Sequence, residues 1–175
     1  MRTVELLGDD GLDRAVRAAW RRLDEAGLPS LARHGHPTNR PHLTLASAEE
    51  FPPGAAAAIA DALGALPIGV RLGGLRFFGG RAGVLAWEVR GGDALRELQA
   101  QIWTALGSLD PNPLHEPGAW IPHVSLARRL RPDQVTLATQ VVGEEAVAGT
   151  FSGARSYDST TRTVSKNYWA SEPAS

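Results

Sequence analysis

Arg40-Pro41-His42-Leu43-Thr44-Leu45 returns in the second half of the chain as Ile121-Pro122-His123-Val124-Ser125-Leu126. Both stretches read proline, histidine, apolar, hydroxyl, leucine. Side chains along a strand alternate between its two faces, so His42 and Thr44 share one face while Leu43 and Leu45 share the other. His123 and Ser125 are likewise separated from Val124 and Leu126. Each copy is a half-buried strand with an imidazole and a hydroxyl standing on its open face. One such strand in each half predicts a pair of histidines facing each other across a cleft, and that cleft is the candidate active site.

The flanking pattern is α+β. Thr3 to Leu7 reads as a short strand broken by Gly8-Asp9-Asp10-Gly11, where Asp9 or Asp10 can cap a helix. Leu12, Val16, Ala19, Trp20 and Leu23 then recur at helical spacing, with Arg14, Arg17, Arg21 and Arg22 mostly on the opposite face. Gly27-Leu28-Pro29 ends that helix, and a loop over 30–40 leads into the first motif. The spacing predicts a second helix over 55–66, stopped by Pro67, and strand segments over 68–75 and 76–78 with a bend at Gly73-Gly74. A turn over 79–83 precedes a strand over 84–90. A third helix carries the stripe Leu95, Leu98, Ile102 and Leu106. A proline-rich loop over 109–120 leads to the second motif strand, about 121–128. A short helix opens at Pro132-Asp133, and strands over 146–156 and 163–169 close the chain.

Strand, helix, motif strand, helix and further strands thus occur twice. The order predicts one domain over 1–175 built from approximate repeats at 1–80 and 81–175 that exchange terminal strands. A rough twofold between the repeats would bring His42 and His123 together.

Composition narrows the function. The 175 residues are 43% hydrophobic, as expected of a globular protein, and include no cysteine, which excludes disulfides and thiolate metal sites. The formal net charge of −1 provides no global basic field for long duplex nucleic acid, so a nucleic-acid substrate should be short or gripped locally by arginines. Lys166 is the single lysine. No leader or membrane-spanning run is evident, and a cytoplasmic monomer is the expectation.

Imidazoles titrate near neutrality, so one can accept a proton while the other donates one. Opening a cyclic phosphate diester uses such a pair: a neutral histidine deprotonates water, and a protonated one delivers a proton to the departing ribose oxygen. Each role contributes about 10²–10⁴-fold. Thr44 and Ser125, on the same faces, can donate hydrogen bonds to the non-bridging phosphate oxygens. The chemistry needs no cofactor, and no carboxylate cluster suggests a metal.

On these two motifs, the second reading Pro-His-Val-Ser-Leu-Ala-Arg, the chain resembles the two-histidine phosphoesterase superfamily, in particular its bacterial 2′-5′ RNA ligase-like, RNA 2′,3′-cyclic phosphodiesterase branch. The resemblance implies a bilobal fold, with two antiparallel sheets flanking a central groove and helices outside. It implies metal-independent opening of 2′,3′-cyclic phosphates on RNA ends or nucleotides, with 2′-5′ ligation as the reverse activity. His42 and His123 would be the acid/base pair, Thr44 and Ser125 the phosphate contacts. Serine stands at 125 where threonine is commoner, which keeps the hydroxyl. Two other readings use the same groove: a cyclic phosphodiesterase for a small metabolite such as ADP-ribose 1″,2″-cyclic phosphate, and a non-catalytic RNA-end binding module.

Around the motifs, Arg128 and Arg40 are candidates to reach phosphate. Trp120 is the first choice as a base-stacking platform, ahead of Phe77, Phe78 and Tyr157. His34-Gly35-His36 has a metal-ligand spacing but too few companions for a zinc site, and a solvated loop is favoured. The glycines over 73–83 lack the Lys-Ser/Thr and helix start of a phosphate-binding loop, which favours hairpin turns. The arginine face of the first helix suits either RNA or solvent.

Overall fold

The computed structural model describes residues 1–80, 83–107 and 112–165. Seven strands and four helices alternate within them: β1 (Arg2–Gly8), α1 (Asp10–Glu25), β2 (Leu43–Ala48), α2 (Ala55–Leu63), β3 (Ile68–Phe78), β4 (Val84–Arg90), α3 (Gly92–Ala105), β5 (His123–Arg128), α4 (Val135–Val142), β6 (Val147–Asp158) and β7 (Thr163–Ser165). The α+β class expected from the patterning is what the chain adopts. The second helix stops at Gly64 rather than at Leu66. The final strand is described to Ser165, and its expected continuation to Trp169 lies outside the described residues, as do Arg81 and Ala82 of the turn over 79–83.

Every strand pairing is antiparallel. The strands run in the order β1-β2-β5-β4-β3-β6-β7, and β1 also pairs with β6. The two sheets expected from the resemblance are therefore one hydrogen-bonded network, in which six strands close a ring and β7 hangs on β6. Two features join what would have been separate sheets. β6 spans both sides, lying along β3 through Val147–Phe151 and along β1 from Phe151 onward. Opposite it, β2 and β5 touch at one residue pair, Leu43 and Val124. Pairing also crosses the boundary between the expected repeats: β3 of 1–80 joins β4 of 81–175, and β6 of the second joins β1 of the first.

The helical stripe foreseen for α1 is buried in full, with Leu12, Val16, Ala19, Trp20 and Leu23 inside. α1 packs with α4 along β1, β5 and β6, while α3 packs with α2 and along β2 and β3. The approach of α1 to β6 is close enough that a Cβ on Gly149 would stand 2.6 Å from Leu12 Cγ, so only glycine fits there. The bend at Gly73-Gly74 is a bulge in β3, where the register to β4 slips between Leu72 and Leu75 and Gly74 takes φ +76°. The arginine face of α1 is partly spent inside the molecule. Arg22 donates to the carbonyls of Val141 and Val142 at the end of α4, where a cation also meets the negative end of the helix dipole. Arg17 pairs with Asp13 and lies over the Trp20 ring.

Asp9 fastens α1 to β6. Its carboxylate accepts from the Leu12 amide at 2.9 Å and from the Thr150 amide and hydroxyl at 2.7 and 3.1 Å. These bonds, the Leu12 amide foremost, hold its carboxyl below the ordinary aspartate range. Asp9→Ala should cost about 1–2 kcal/mol of stability at neutral pH, in the range of lost N-caps. Because the folded-state pKa is depressed, the contribution is present above the ordinary aspartate value of about 3.9 and is lost as pH falls below it. Urea unfolding at pH 7 and at acid pH checks this: the gap between wild type and variant should shrink on acidification.

Candidate active site

The site follows from the single pair between β2 and β5. Leu43 and Val124 face the core, 1% and 2% exposed, so the residues on either side of them project from the opposite face. Continuing the antiparallel register one residue each way sets His42 across from Ser125 and Thr44 across from His123. All four are half-buried. They form a two-by-two array with the imidazoles on one diagonal and the hydroxyls on the other.

Both histidines are oriented in the same way. His42 Nδ1 lies 2.7 Å from the Arg40 carbonyl, and His123 Nδ1 lies 2.8 Å from the Ile121 carbonyl. A carbonyl only accepts, so each Nδ1 carries hydrogen and donates it, leaving Nε2 as the nitrogen that can take up or release a proton. The intervening Pro41 and Pro122 fix φ between ring and acceptor and lack an amide hydrogen that would compete for it. The repeated prolines of the motifs thus set the tautomer of each imidazole.

The motif strands are also held from the side. Trp20 on α1 donates its indole N–H to the Ser125 carbonyl at 3.1 Å, and Trp120, ahead of β5, donates to the Thr44 carbonyl at 3.2 Å. Gln99 on α3, 1% exposed, donates to the Leu45 carbonyl at 3.1 Å. The carbonyls of both hydroxyl-bearing residues are satisfied where the two strands part.

Around that common frame the two histidines differ. His123 packs against Phe78, ring centroids 4.7 Å apart. Burial lowers its pKa below the usual histidine value, and the nearby charges of His115, His42 and Arg128 push the same way. His42 stands instead beside a carboxylate: Glu5 Oε1, on β1, lies 3.6 Å from His42 Nε2. Glu5 is 2% exposed and forms an ion pair with the equally buried Arg155 of β6 at 2.7 Å. The Thr3 hydroxyl donates to Glu5 Oε1 at 2.8 Å, and Arg155 also donates to the Thr38 carbonyl at 2.9 Å.

A cavity of about 620 Å³ opens over this face, lined by His42, Thr44 and Ser125 at its floor and by Glu5, Arg155 and Tyr157 along one side. His123 stands beside it against Phe78. Arg33, Arg40, Arg128 and Arg129 are also among its lining, the first two paired with Asp24 and Asp13. Arg129 takes φ +62°, a conformation uncommon for a residue with a side chain, as the chain turns out of β5.

The residues singled out in the sequence have different fates here. Arg128 and Arg40 both line the cavity, Arg128 exposed and Arg40 half-buried and paired with Asp13 at 3.2 Å. Trp120 is not a base platform: it is 5% exposed and packed in the core, with no open ring face for a nucleobase. Its indole N–H is committed to Thr44, and the aromatic residues that line the cavity are Trp20, itself buried, and Tyr157. Phe77 packs against the core. His34 lines the cavity, while His36 bonds to Thr38 and His115 contacts Ser47 and Asn112. Among the described residues, no group of three or more histidine, aspartate or glutamate side chains is arranged to hold a metal ion. Glu5 and Arg155 were not legible as site residues. The one signal was a glutamate inside the apolar strand Val4-Glu5-Leu6-Leu7, and its partner arrives from the far end of the chain.

With this geometry in view, the chain belongs to the 2′-5′ RNA ligase superfamily, whose family model matches residues 12–156. That match spans both motif strands, and it places the chain among the two-histidine phosphoesterases, enzymes that act on phosphoesters. No match is found among curated proteins. No helix among the described residues is long and apolar enough to cross a membrane.

Proposed function

We propose that this protein is a metal-independent 2′,3′-cyclic phosphodiesterase, a phosphoric diester hydrolase acting on RNA ends or nucleotides. The observation that carries the proposal is the diagonal array of His42 and His123 with Thr44 and Ser125, each imidazole fixed to expose Nε2. A cyclic phosphate seated on the array has one imidazole on the side of the attacking water and the other on the side of the departing ribose oxygen. The neutral imidazole takes a proton from water as the water oxygen bonds to phosphorus. The phosphorus–ribose oxygen bond breaks, and the cationic imidazole protonates that oxygen. The Thr44 and Ser125 hydroxyls donate to the non-bridging oxygens as their charge grows. With a free 5′-hydroxyl in place of water as the attacking group, the same transfers form a 2′-5′ linkage as the phosphorus–3′-oxygen bond breaks.

Arg128 and Arg129, at the cavity wall, suit further phosphates of an RNA end, with Arg40 close to the first motif. The near-neutral net charge and the bounded cavity favour a short substrate and support a second reading, hydrolysis of a small metabolite's cyclic phosphate such as ADP-ribose 1″,2″-cyclic phosphate. Rates on a 2′,3′-cyclic mononucleotide, a defined oligonucleotide ending in 2′,3′-cyclic phosphate and that metabolite, all in EDTA, separate the two. The first reading expects the ribonucleotide substrates to be opened faster. Turnover of the metabolite alone would favour the second, and saturable binding of RNA ends without product would mark a binding module.

The proposal includes the origin of the array. The repeats at 1–80 and 81–175 would be two copies of one unit that traded terminal strands. This is supported by the exchanged pairs β3–β4 and β6–β1, by the helix pairs α1–α4 and α2–α3, and by the matching Nδ1–carbonyl contacts of the two motifs.

A further inference from the structure

The two motifs are near copies, yet the groups around the two imidazoles differ. The groups facing His42 come from four places. β1 contributes Glu5, and β6 contributes Arg155 and Tyr157. β5 contributes Arg128, Arg129 follows that strand, and His123 stands on the diagonal. The loop before β2 contributes Arg33, His34 and Arg40. Two of these arginines are engaged with acids of their own, Arg33 with Asp24 and Arg40 with Asp13. Among the described residues, Glu5 sets a carboxylate oxygen next to Nε2, at 3.6 Å. Its other oxygen is held by Arg155, and the Thr3 hydroxyl fixes the near one, so the carboxylate cannot swing away. Around His123 stand the Phe78 ring and the positive charges of His115 and Arg128, and the one carboxylate across the strand from it among the described residues, Glu88 of β4, is paired with Arg76.

Resting on the phosphodiesterase reading above, we propose that Glu5 is a positioning residue that keeps His42 as the proton donor, so that in ring opening His42 protonates the departing ribose oxygen and His123 takes the proton from water. A carboxylate within about 4–6 Å favours the charged form of its neighbour. Glu5 Oε1 stands 3.6 Å from Nε2, too far to hold its hydrogen in a bond, so that hydrogen is free to point at the leaving oxygen until the phosphorus–oxygen bond breaks. Once it has been delivered, the neutral ring retains its Nδ1 bond to the Arg40 carbonyl and its orientation. His123 gains a proton in the same turnover, so the two rings exchange charge and the site returns to its resting state by proton transfer through solvent. The roles reverse when a 2′-5′ linkage is cleaved back to the cyclic phosphate, His42 then taking the proton from the attacking ribose hydroxyl.

The test is the pH profile of kcat/KM on a 2′,3′-cyclic mononucleotide for wild type, Glu5→Gln and Glu5→Asp. A proton donor governs the alkaline limb of the profile and a proton acceptor the acid limb. Glu5→Gln should move the alkaline limb to lower pH and leave the acid limb in place, with a loss of about tenfold on the alkaline side. Glu5→Asp, which retains the charge, should recover part of that loss. Because Glu5→Gln leaves Arg155 buried opposite a neutral amide, Glu5→Gln/Arg155→Met is measured alongside, and it should show the same shift. A uniform loss at all pH values, or a shift of the acid limb instead, would overturn the role of Glu5 while leaving the phosphodiesterase reading intact. If wild type opens no cyclic phosphate at all, the reading of the site fails and this inference fails with it.

Discussion

His42→Ala and His123→Ala should each lower kcat/KM on a 2′,3′-cyclic phosphate by about 10²–10⁴-fold, the usual worth of one acid or base group. Neither ring is part of the hydrophobic core, and each makes its Nδ1 bond to a carbonyl two residues upstream, so its removal leaves the strands intact. Thermal unfolding of both variants should stay close to wild type, which separates loss of chemistry from loss of fold. The double variant should be little worse than either single one, because acid and base serve the same bond-breaking event and losses within such a unit are not additive. Steady-state rates of the three variants on one substrate check both expectations.

Arg155→Met should have the largest effect on stability. Arg155 and Glu5 lie buried against each other, 5% and 2% exposed, and join β6 to β1 where the ring closes. Removing the guanidinium strands the Glu5 carboxylate and leaves the Thr38 carbonyl without its donor. Breaking a buried pair from one side costs about 3–5 kcal/mol. That is a large share of the roughly 5–15 kcal/mol that holds a domain of this kind. Removing both charges, as in Glu5→Gln/Arg155→Met, should recover much of the loss, since apolar or neutral replacements of a buried pair are often close to neutral. Urea unfolding of the single and double variants measures the difference. A double variant less stable than Arg155→Met would mean that the pair itself, rather than the orphaned charge, supplies the stability.

What could be read from the sequence was local. The α1 stripe, the bend at Gly73-Gly74 and both motif strands follow from spacing of apolar side chains and from glycine, although the strands begin only at Leu43 and His123, with His42 just ahead of the first. What could not be read depends on which distant strands meet. One hydrogen-bonded network replaces the two expected sheets because β6 is long enough to pair with β3 and then β1, and strand length alone does not reveal a partner. Trp120 adjoins the second motif in sequence, and that alone suggests a platform. Adjacency in sequence does not say which way an indole points, and here it turns inward to a carbonyl of the first motif. Glu5 was hidden for the same reason, since an isolated glutamate in an apolar strand shows its purpose only once Arg155 and His42 are seen beside it.

The central claim is that His42 and His123 together open a cyclic phosphate with no metal ion. The most direct measurement is product analysis on a defined oligonucleotide ending in 2′,3′-cyclic phosphate, in EDTA, with wild type, His42→Ala and His123→Ala. The account predicts a single phosphomonoester product from wild type at a rate unaffected by EDTA, and little or none from either variant. Wild type that leaves the cyclic phosphate intact, activity abolished by EDTA, or full activity in both variants would contradict it.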